Sequence, residues 1–268
     1  MKKLTIKSYA KINIFLKIVG NKDGYHNIVS RFHKVKSLYD TITFDPNNST
    51  GEFELIGDFS CDIKDNSIYK AFLILRQSCP KIDAYFRVYS IKVEKNIPHS
   101  AGLGGGSSNA AAFLILANSL FDLNYSKSRL VRMGLKVGCD VPFFIYEYDS
   151  ANVSGVGEIV EEFREDDFDI DVFTPDIKCS TKDVFEYFSR YFYDSLSDTF
   201  SDSLFDDYSS ILSLSSVDIL KRLDINSAND LYKSAMSLYP SLKKYYKKEL
   251  FFSGSGSSFF RLKSSKSL

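Results

Sequence analysis

From Lys11 onward the chain alternates strictly. Ile12, Ile14, Leu16 and Ile18 share one face, and Lys11, Asn13 and Lys17 share the other. A period of two predicts a strand, and residues 4–19 read as one or two strands. The turn signal Asn21-Lys22-Asp23-Gly24 follows, then Tyr25-His26. Short strand-like runs continue over 28–38, 41–44 and 52–56. Asn66-Ser67 predicts a helix cap, with the helix over 68–77. Residues 85–95 read as a strand that ends at Ile97-Pro98.

A run of small residues comes next, Ser100-Ala101-Gly102-Leu103-Gly104-Gly105-Gly106-Ser107-Ser108-Asn109. The segment after it, 110–120, is apolar almost all round, which predicts a buried helix. Ser126 predicts the cap of a further helix through Lys136, closed by Gly138, and Asp140-Val141-Pro142 opens another element. Asp and Glu crowd 158–171, and 194–216 is rich in Ser, Asp, Phe and Leu; the second stretch reads as solvated helices with loops. Phe251-Phe252-Ser253-Gly254-Ser255-Gly256-Ser257-Ser258-Phe259-Phe260 reads as strand, small-residue turn and strand. No internal repeat is evident, and the composition shift near 150–160 is the best domain cut.

The glycine-rich run carries the strongest chemical signal. Bare Gly and Ser side chains let backbone N–H groups close round an anion, and the helix behind them aims its positive end there. That chemistry suits a phosphate chain. The run is not a Walker A loop, because no G-K-[S/T] closes it, and G-x-G-x-x-G cannot be laid over Gly102 to Ser107. A flexible linker is the bland alternative, but linkers seldom run from a strand straight into an apolar helix. Other positions look ordinary when read alone. Lys11 and Asn13 would be exposed polar residues on a half-buried strand, Asp140 a helix cap, Tyr25-His26 an exposed turn, and Gly254-Ser255-Gly256 a hairpin connection.

Composition narrows the classes. The 268 residues suit one large domain or two modest ones, and 44% hydrophobic with 25% charged is an ordinary folded protein. Lys+Arg and Asp+Glu are both 34, so nothing advertises a polyanion partner, and nucleic acid is not expected. No apolar run approaches the roughly 18–20 residues needed to cross a bilayer. The opening M-K-K-L-T-I-K-S-Y-A-K lacks the continuous apolar stretch of a signal peptide. Cys61, Cys79, Cys139 and Cys179 are scattered, and with only His26, His33 and His99 beside them neither a zinc site nor a disulfide framework is expected. A reduced, cytoplasmic protein is the expectation.

Taken together, the motifs resemble one family. P-x-x-x-G-L-G-G-G-S-S-N-A at 98–110, G-C-D-V-P-F-F at 138–144 and S-G-S-G-S-S at 253–258 are similar, in order and spacing, to the three motifs of the GHMP small-molecule kinases. The opening Y-A-K-I-N-I-F-L-K-I-V-G-N-K-D-G-Y-H resembles the branch of that family that acts on a cytidine-diphosphate-linked methylerythritol. Pro98-His99-Ser100 departs from the family, where small residues and Met are more usual. The resemblance implies an α+β fold of two domains joined by a cleft. Residues 1–153 would be similar to the second domain of ribosomal protein S5, and 154–268 would be a smaller ferredoxin-like domain.

The same resemblance implies an ATP-dependent kinase that phosphorylates the 2-hydroxyl of that small-molecule substrate. ATP with Mg²⁺ would be the cofactor, and no metal would be held by protein residues alone. Pro98, His99, Ser100, Ala101, Gly102, Leu103, Gly104, Gly105, Gly106, Ser107 and Ser108 would cradle the nucleotide, with Ser107 or Ser108 facing Mg²⁺ or the β-phosphate. Asp140 would be the general base, and Lys11 beside it would hold the hydroxyl and keep the carboxylate ionised. Asn13 and Thr181 would hold the methylerythritol end. Tyr25 and Phe185 would sandwich the cytosine ring, with His26 reading its edge. No membrane and no nucleic acid are expected as partners, and the chain would be a monomer or a weak homodimer. Three rivals stand beside this reading, the closest a kinase of the same family with another substrate, which would not need Tyr25-His26. A nucleotide sensor without chemistry is disfavoured by the presence of both Lys11 and Asp140, and an S5-like RNA-binding module by the zero net charge.

Overall fold

The computed structural model describes residues 2–22, 25–192 and 203–263. The chain forms two compact units, neither continuous in sequence. The first comprises 1–10, 35–99 and 104–148; the second comprises 11–34, 100–103 and 149–268. Both draw on the same two long strands, β1 (Leu4–Lys22) and β2 (Tyr25–Asp45).

In the first unit the later part of β2 pairs antiparallel with β4 (Ser90–Glu94), from Thr41 opposite Glu94 to Asp45 opposite Ser90. The short strand β3 (Glu54–Gly57) adds to β4 in parallel. Thr5 on β1 and Thr43 on β2 meet through their hydroxyls at 2.9 Å. Among the described residues five α-helices complete the unit: α1 (Ser67–Ser78), α2 (Ile82–Phe86), α3 (Gly105–Leu120), α4 (Lys127–Leu135) and α5 (Val141–Tyr146). Asn66 caps α1 by accepting from the Ile68 N–H, and Ser126 caps α4 by accepting from the Arg129 N–H, as their side chains predict. The α3 helix buries Ala110 through Leu114 without a break, as an all-apolar helix must. Its Phe113 meets Phe44 and Phe86 at 5.6 and 5.5 Å between ring centres, and this aromatic cluster is the core of the unit.

The expected strand over 85–95 is corrected here. Tyr85 and Phe86 end the short helix α2, and only Ser90–Glu94 is strand. Phe86 is buried among Phe44, Phe72 and Phe113, so helical packing outweighs the strand preference of two aromatics.

In the second unit the earlier part of β2 pairs antiparallel with β5 (Ser150–Gly155), which pairs in turn with β6 (Ile159–Glu162). A separate three-stranded sheet has the order β7 (Ile170–Phe173), β9 (Phe259–Leu262), β8 (Phe251–Phe252). Phe251 lies opposite Phe260 and Phe252 opposite Phe259, so Gly254-Ser255-Gly256 does lie in a hairpin connection. The helix α6 (Thr181–Tyr191) and helices at Ser216–Arg222 and Tyr232–Leu238 accompany this sheet. Of the Ser- and Asp-rich stretch 194–216, Ser203–Leu212 is helix and 194–202 lies outside the described residues.

The separate strand-like runs over 28–38 and 41–44 are one strand. From Ile28 to His33 every residue is buried, so both faces are covered and the alternation that signals a strand is lost. Arg31 is the largest of these fully buried side chains. Its guanidinium donates to Asn152 Oδ1 at 2.6 Å and to the Leu212 carbonyl at 2.7 Å, lies 3.3 Å from the Phe163 ring centre, and stands 4.0 Å from Glu165. Glu165 also accepts from the Ser216 N–H and hydroxyl, both at 2.7 Å. A buried cation is tolerable when its donors are met in this way.

Candidate active site

The glycine segment follows a short connection after β4, which ends at Glu94, and leads into α3. Gly104 stands at the N-cap of α3 with φ +68°, a left-handed conformation that costs a side chain about 1–2 kcal/mol. No side chain caps this end, so the first-turn N–H groups point toward whatever fills the loop. Among described residues of the first unit, Pro98 and Gly106 are exposed, and His99, Gly104, Gly105 and Ser107 are half-buried. Ser108 turns inward. It is 2% exposed and its hydroxyl accepts from the Ser8 hydroxyl at 2.7 Å. Ser107 is therefore the more accessible of the two hydroxyls.

Asp140 immediately precedes α5, and Pro142 follows at the start of that helix. Its carboxylate makes no capping hydrogen bond to its own helix. The bland account of Asp140 as a cap is corrected by that geometry.

The second unit holds the other half of the predicted residues. Lys11 and Asn13 are 3% and 1% exposed, which corrects the picture of two solvated side chains on a half-buried strand. Ala10 through Leu16 is buried throughout, so the polar face of β1 is covered as fully as the apolar one. Lys11 Nζ donates to Asn13 Oδ1 at 2.8 Å and lies 4.3 Å from the Phe32 ring centre. Asn13 Nδ2 donates to the Ser30 hydroxyl at 3.0 Å, and the Asn13 N–H to the Ser253 hydroxyl at 3.4 Å.

Ser253 donates in turn to the Gly102 carbonyl at 2.9 Å. Gly102 has φ +73°, and a Cβ added there would run into the Ser253 carbonyl. Both facts require glycine. Thr181, at the start of α6, has its hydroxyl 2.8 Å from that of Ser255. The Ser-Gly-Ser-Gly hairpin thus touches Asn13, Gly102 and Thr181, although the sequence offers Ser253 and Ser255 only as members of a motif. Ser100, Ala101 and Leu103 belong to this unit too; the Leu103 carbonyl accepts from the Lys11 N–H at 2.9 Å, and the Ala101 carbonyl from the Ser258 N–H at 3.1 Å.

His26 and Phe185 come together, 159 positions apart. Their rings stack at 5.4 Å with 19° between planes, and His26 Nε2 lies 2.7 Å from the Ser189 hydroxyl, one turn along α6 from Phe185. Burial lowers the His26 pKa, partly offset by a hydrogen bond to the Gly20 backbone. One face of Phe185 thus carries the His26 ring, and His26 Nε2 has the Ser189 hydroxyl as a partner. Tyr25 is part of β2, and its side chain lies outside the described residues.

Comparison with known proteins then places the molecule. The model of the GHMP kinases N terminal domain matches residues 66–148, the span that contains the glycine segment and Asp140. The chain is 48% identical to the 4-diphosphocytidyl-2-C-methyl-D-erythritol kinase of Sulfurimonas denitrificans, covering 98% of each chain. The chain belongs to the 4-diphosphocytidyl-2-C-methyl-D-erythritol kinases, within the GHMP kinases. The protein of the same description from Helicobacter pylori strain J99 is 38% identical, over 95% of this chain and 93% of its own.

Solved structures agree on the fold. A crystal structure of 4-(cytidine 5'-diphospho)-2C-methyl-D-erythritol kinase matches with a TM-score of 0.69 at 24% identity, covering 97% of this chain and 90% of that one. Methanococcus jannaschii mevalonate kinase matches with a TM-score of 0.60 at 12% identity, covering 98% and 91%. The α+β, two-domain GHMP kinase fold expected from the motifs is therefore the fold of this chain. No helix of the described residues is long and apolar enough to cross a membrane.

Proposed function

We propose that the chain transfers the γ-phosphoryl group of ATP to the 2-hydroxyl of 4-diphosphocytidyl-2-C-methyl-D-erythritol, a step of non-mevalonate isoprenoid precursor synthesis. The observation that carries this reading is the 48% identity to a kinase of that name over 98% of both chains. Residues 1–153 are read as the N-terminal domain of the family and 154–268 as the C-terminal one. The working form is a cytoplasmic monomer or weak homodimer that acts on a small molecule, with neither nucleic acid nor membrane as partner.

Phosphoryl transfer needs positioned reactants and charge neutralisation more than covalent chemistry from the protein. The loop Pro98–Ser108 is assigned to the nucleotide, and the uncapped start of α3 supports that assignment by leaving N–H groups for phosphate oxygens. Among described residues no three His, Cys, Asp or Glu side chains are grouped to hold a metal ion. Mg²⁺, the ion assigned to accompany the nucleotide, would be held mainly by phosphate oxygens and water, with few protein groups. The accessible Ser107 hydroxyl would be the protein oxygen, and the ion would neutralise charge on the phosphates.

Asp140 is assigned to take the proton of the acceptor hydroxyl, a role supported by a carboxylate that its own helix does not use. Lys11 is assigned to hold that hydroxyl. Asn13 keeps the Lys11 ammonium directed, and Asn13 and Thr181 are assigned to the methylerythritol end. Tyr25, Phe185 and His26 are assigned to the cytosine, with one amendment to the simplest picture. The base must meet the face of Phe185 opposite His26 or displace the His26 ring, and His26 Nε2 must exchange the Ser189 hydroxyl for the base edge.

The test is ADP release by the purified protein with three acceptors. The cytidine diphosphate substrate should support turnover, and homoserine and mevalonate should not. Turnover with either of the latter, or none with the first, overturns the substrate assignment.

A further inference from the structure

The first unit contains a buried polar cluster built round Asp40, a residue to which neither the motifs nor the proposed chemistry gives a role. Asp40, in the later part of β2, is 0% exposed. Its Oδ1 accepts from the backbone N–H groups of Asn96 at 2.7 Å and Ile97 at 2.8 Å. Its Oδ2 accepts from Asn109 Nδ2 at 2.8 Å and from Lys95 Nζ. Lys95 Nζ also donates to Asn109 Oδ1 at 3.1 Å, and Asn109 Nδ2 to the Ser8 hydroxyl at 2.9 Å. Ser8 then donates to Ser108 at 2.7 Å.

The places of these residues in the chain are what matter. Asn96 and Ile97 immediately precede Pro98, where the proposed nucleotide loop begins. Asn109 immediately follows Ser108, where it ends. One buried carboxylate thus fastens both ends of the eleven-residue, glycine-rich nucleotide segment, whose last four residues form the first turn of α3, with one oxygen for the entry and the other for the exit. A glycine-rich loop loses more conformational entropy on ordering than any other composition. Holding its two ends in advance removes part of that cost from ligand binding.

We propose that Asp40 is a positioning residue for the nucleotide: it sets the separation and orientation of the loop's ends, through Asn96 and Ile97 on one side and Asn109 on the other. Lys95 balances its charge and braces Asn109. This inference rests on the reading of Pro98–Ser108 as the ATP loop. It concerns residues outside that loop.

The informative variant is D40N. An amide oxygen can still accept from Asn96 and Ile97, but its NH₂ group then faces Lys95 Nζ and Asn109 Nδ2, donor against donor. The loop's entry stays held and its exit is released. D40N should weaken ATP binding, measured by calorimetry, at least tenfold, and raise the KM for ATP by a similar factor. The KM for the alcohol acceptor should stay within twofold.

Asn109→Ala provides a second route to the same release, with the bonds from Asp40 to Asn96 and Ile97 left in place, and should shift the same two quantities in the same direction. A folded D40N or Asn109→Ala protein that binds ATP within twofold of wild type overturns the proposal. So does a uniform loss, in which both substrates weaken equally as the melting temperature falls. ATP binding by the wild-type chain is measured in the same series. Its absence would overturn the loop assignment itself and so distinguishes that failure from failure of the clamp.

Discussion

Lys11 and Asn13, two residues apart on β1, are joined from Nζ to Oδ1 at 2.8 Å with both side chains out of solvent. A buried ammonium costs several kcal/mol unless its donors are met, so the fold stabilises an arrangement that a solvated lysine would not need. Asn13 donates from its side-chain amide to the Ser30 hydroxyl and from its backbone N–H to the Ser253 hydroxyl. It therefore presents its oxygen to Lys11 in a fixed direction, which restricts the rotamers the Lys11 side chain can take.

Loss of a general base costs about 10²–10⁴ in rate, or roughly 3–5 kcal/mol of barrier. Asp140→Asn should lower kcat by that order with ATP still bound, and Lys11→Met should do comparable damage. The double variant should be little worse than either single one, as the assignment of both residues to one proton transfer requires. Wild-type turnover by Asp140→Asn would remove the base assignment.

Two glycines of the segment are required for different reasons. Gly104→Val forces a β-branched residue into φ +68° at the cap of α3, a strain of about 1–2 kcal/mol, and places bulk where a phosphate must approach. ATP affinity should fall strongly while the melt stays cooperative. Gly102→Ala adds a clash with the Ser253 carbonyl to the same backbone strain, so its melting temperature should fall as well. Unchanged nucleotide affinity in a folded Gly104→Val protein would count decisively against the cradle.

Recognition of the base should depend on which partner His26 keeps. A neutral hydrogen bond is worth about 0.5–1.5 kcal/mol net. Ser189→Ala releases Nε2 from its partner in the free protein, and should lower the KM for the cytidine substrate by a few-fold. His26→Ala should instead narrow the preference for cytidine over a uridine analogue, because stacking alone tolerates any base. Tyr25→Ala should weaken both analogues alike. If the wild-type protein turns over both equally well, edge reading through His26 is excluded.

The same histidine makes stability depend on pH in a definite direction. Burial holds the His26 pKa below its ordinary value of 6.5. Between the folded pKa and about 6.5 the unfolded chain binds the extra proton, so stability rises with pH over that window and falls as pH drops through it. His26→Gln should flatten that part of a plot of melting temperature against pH. An unchanged slope would show that His26 does not carry it.

Arg31 should be a stability residue and not a catalytic one. Burial lowers its pKa to about 10, against the opposing charge of Glu165, so it remains protonated at neutral pH. Arg31→Met leaves Glu165 without its buried cation and should cost about 3–5 kcal/mol. Adding Glu165→Gln should recover part of that loss in a double-mutant cycle. Strict additivity of the two changes would deny the pairing.

The sequence by itself determined what depends on neighbours along the chain. Asn66 and Ser126 cap their helices because a short polar side chain can reach an N–H two or three residues on. The hairpin at 251–260 follows from small residues between two aromatic pairs, and the glycine segment from strand to apolar helix is visible as composition. Motif order and spacing were enough to indicate the family and its fold.

The tertiary structure alone decided what depends on distant segments. Burial of both faces erased the alternation of residues 28–33, and packing among Phe44, Phe72 and Phe113 drew Phe86 into a helix. The stacking of His26 on Phe185 joins positions 159 apart, and the clamp from Asp40 to Asn109 joins positions 69 apart. Neither carries a local signal, because a buried carboxylate or imidazole reads in sequence like an exposed one. Only the fold determines whether water or another side chain supplies the hydrogen-bond partner.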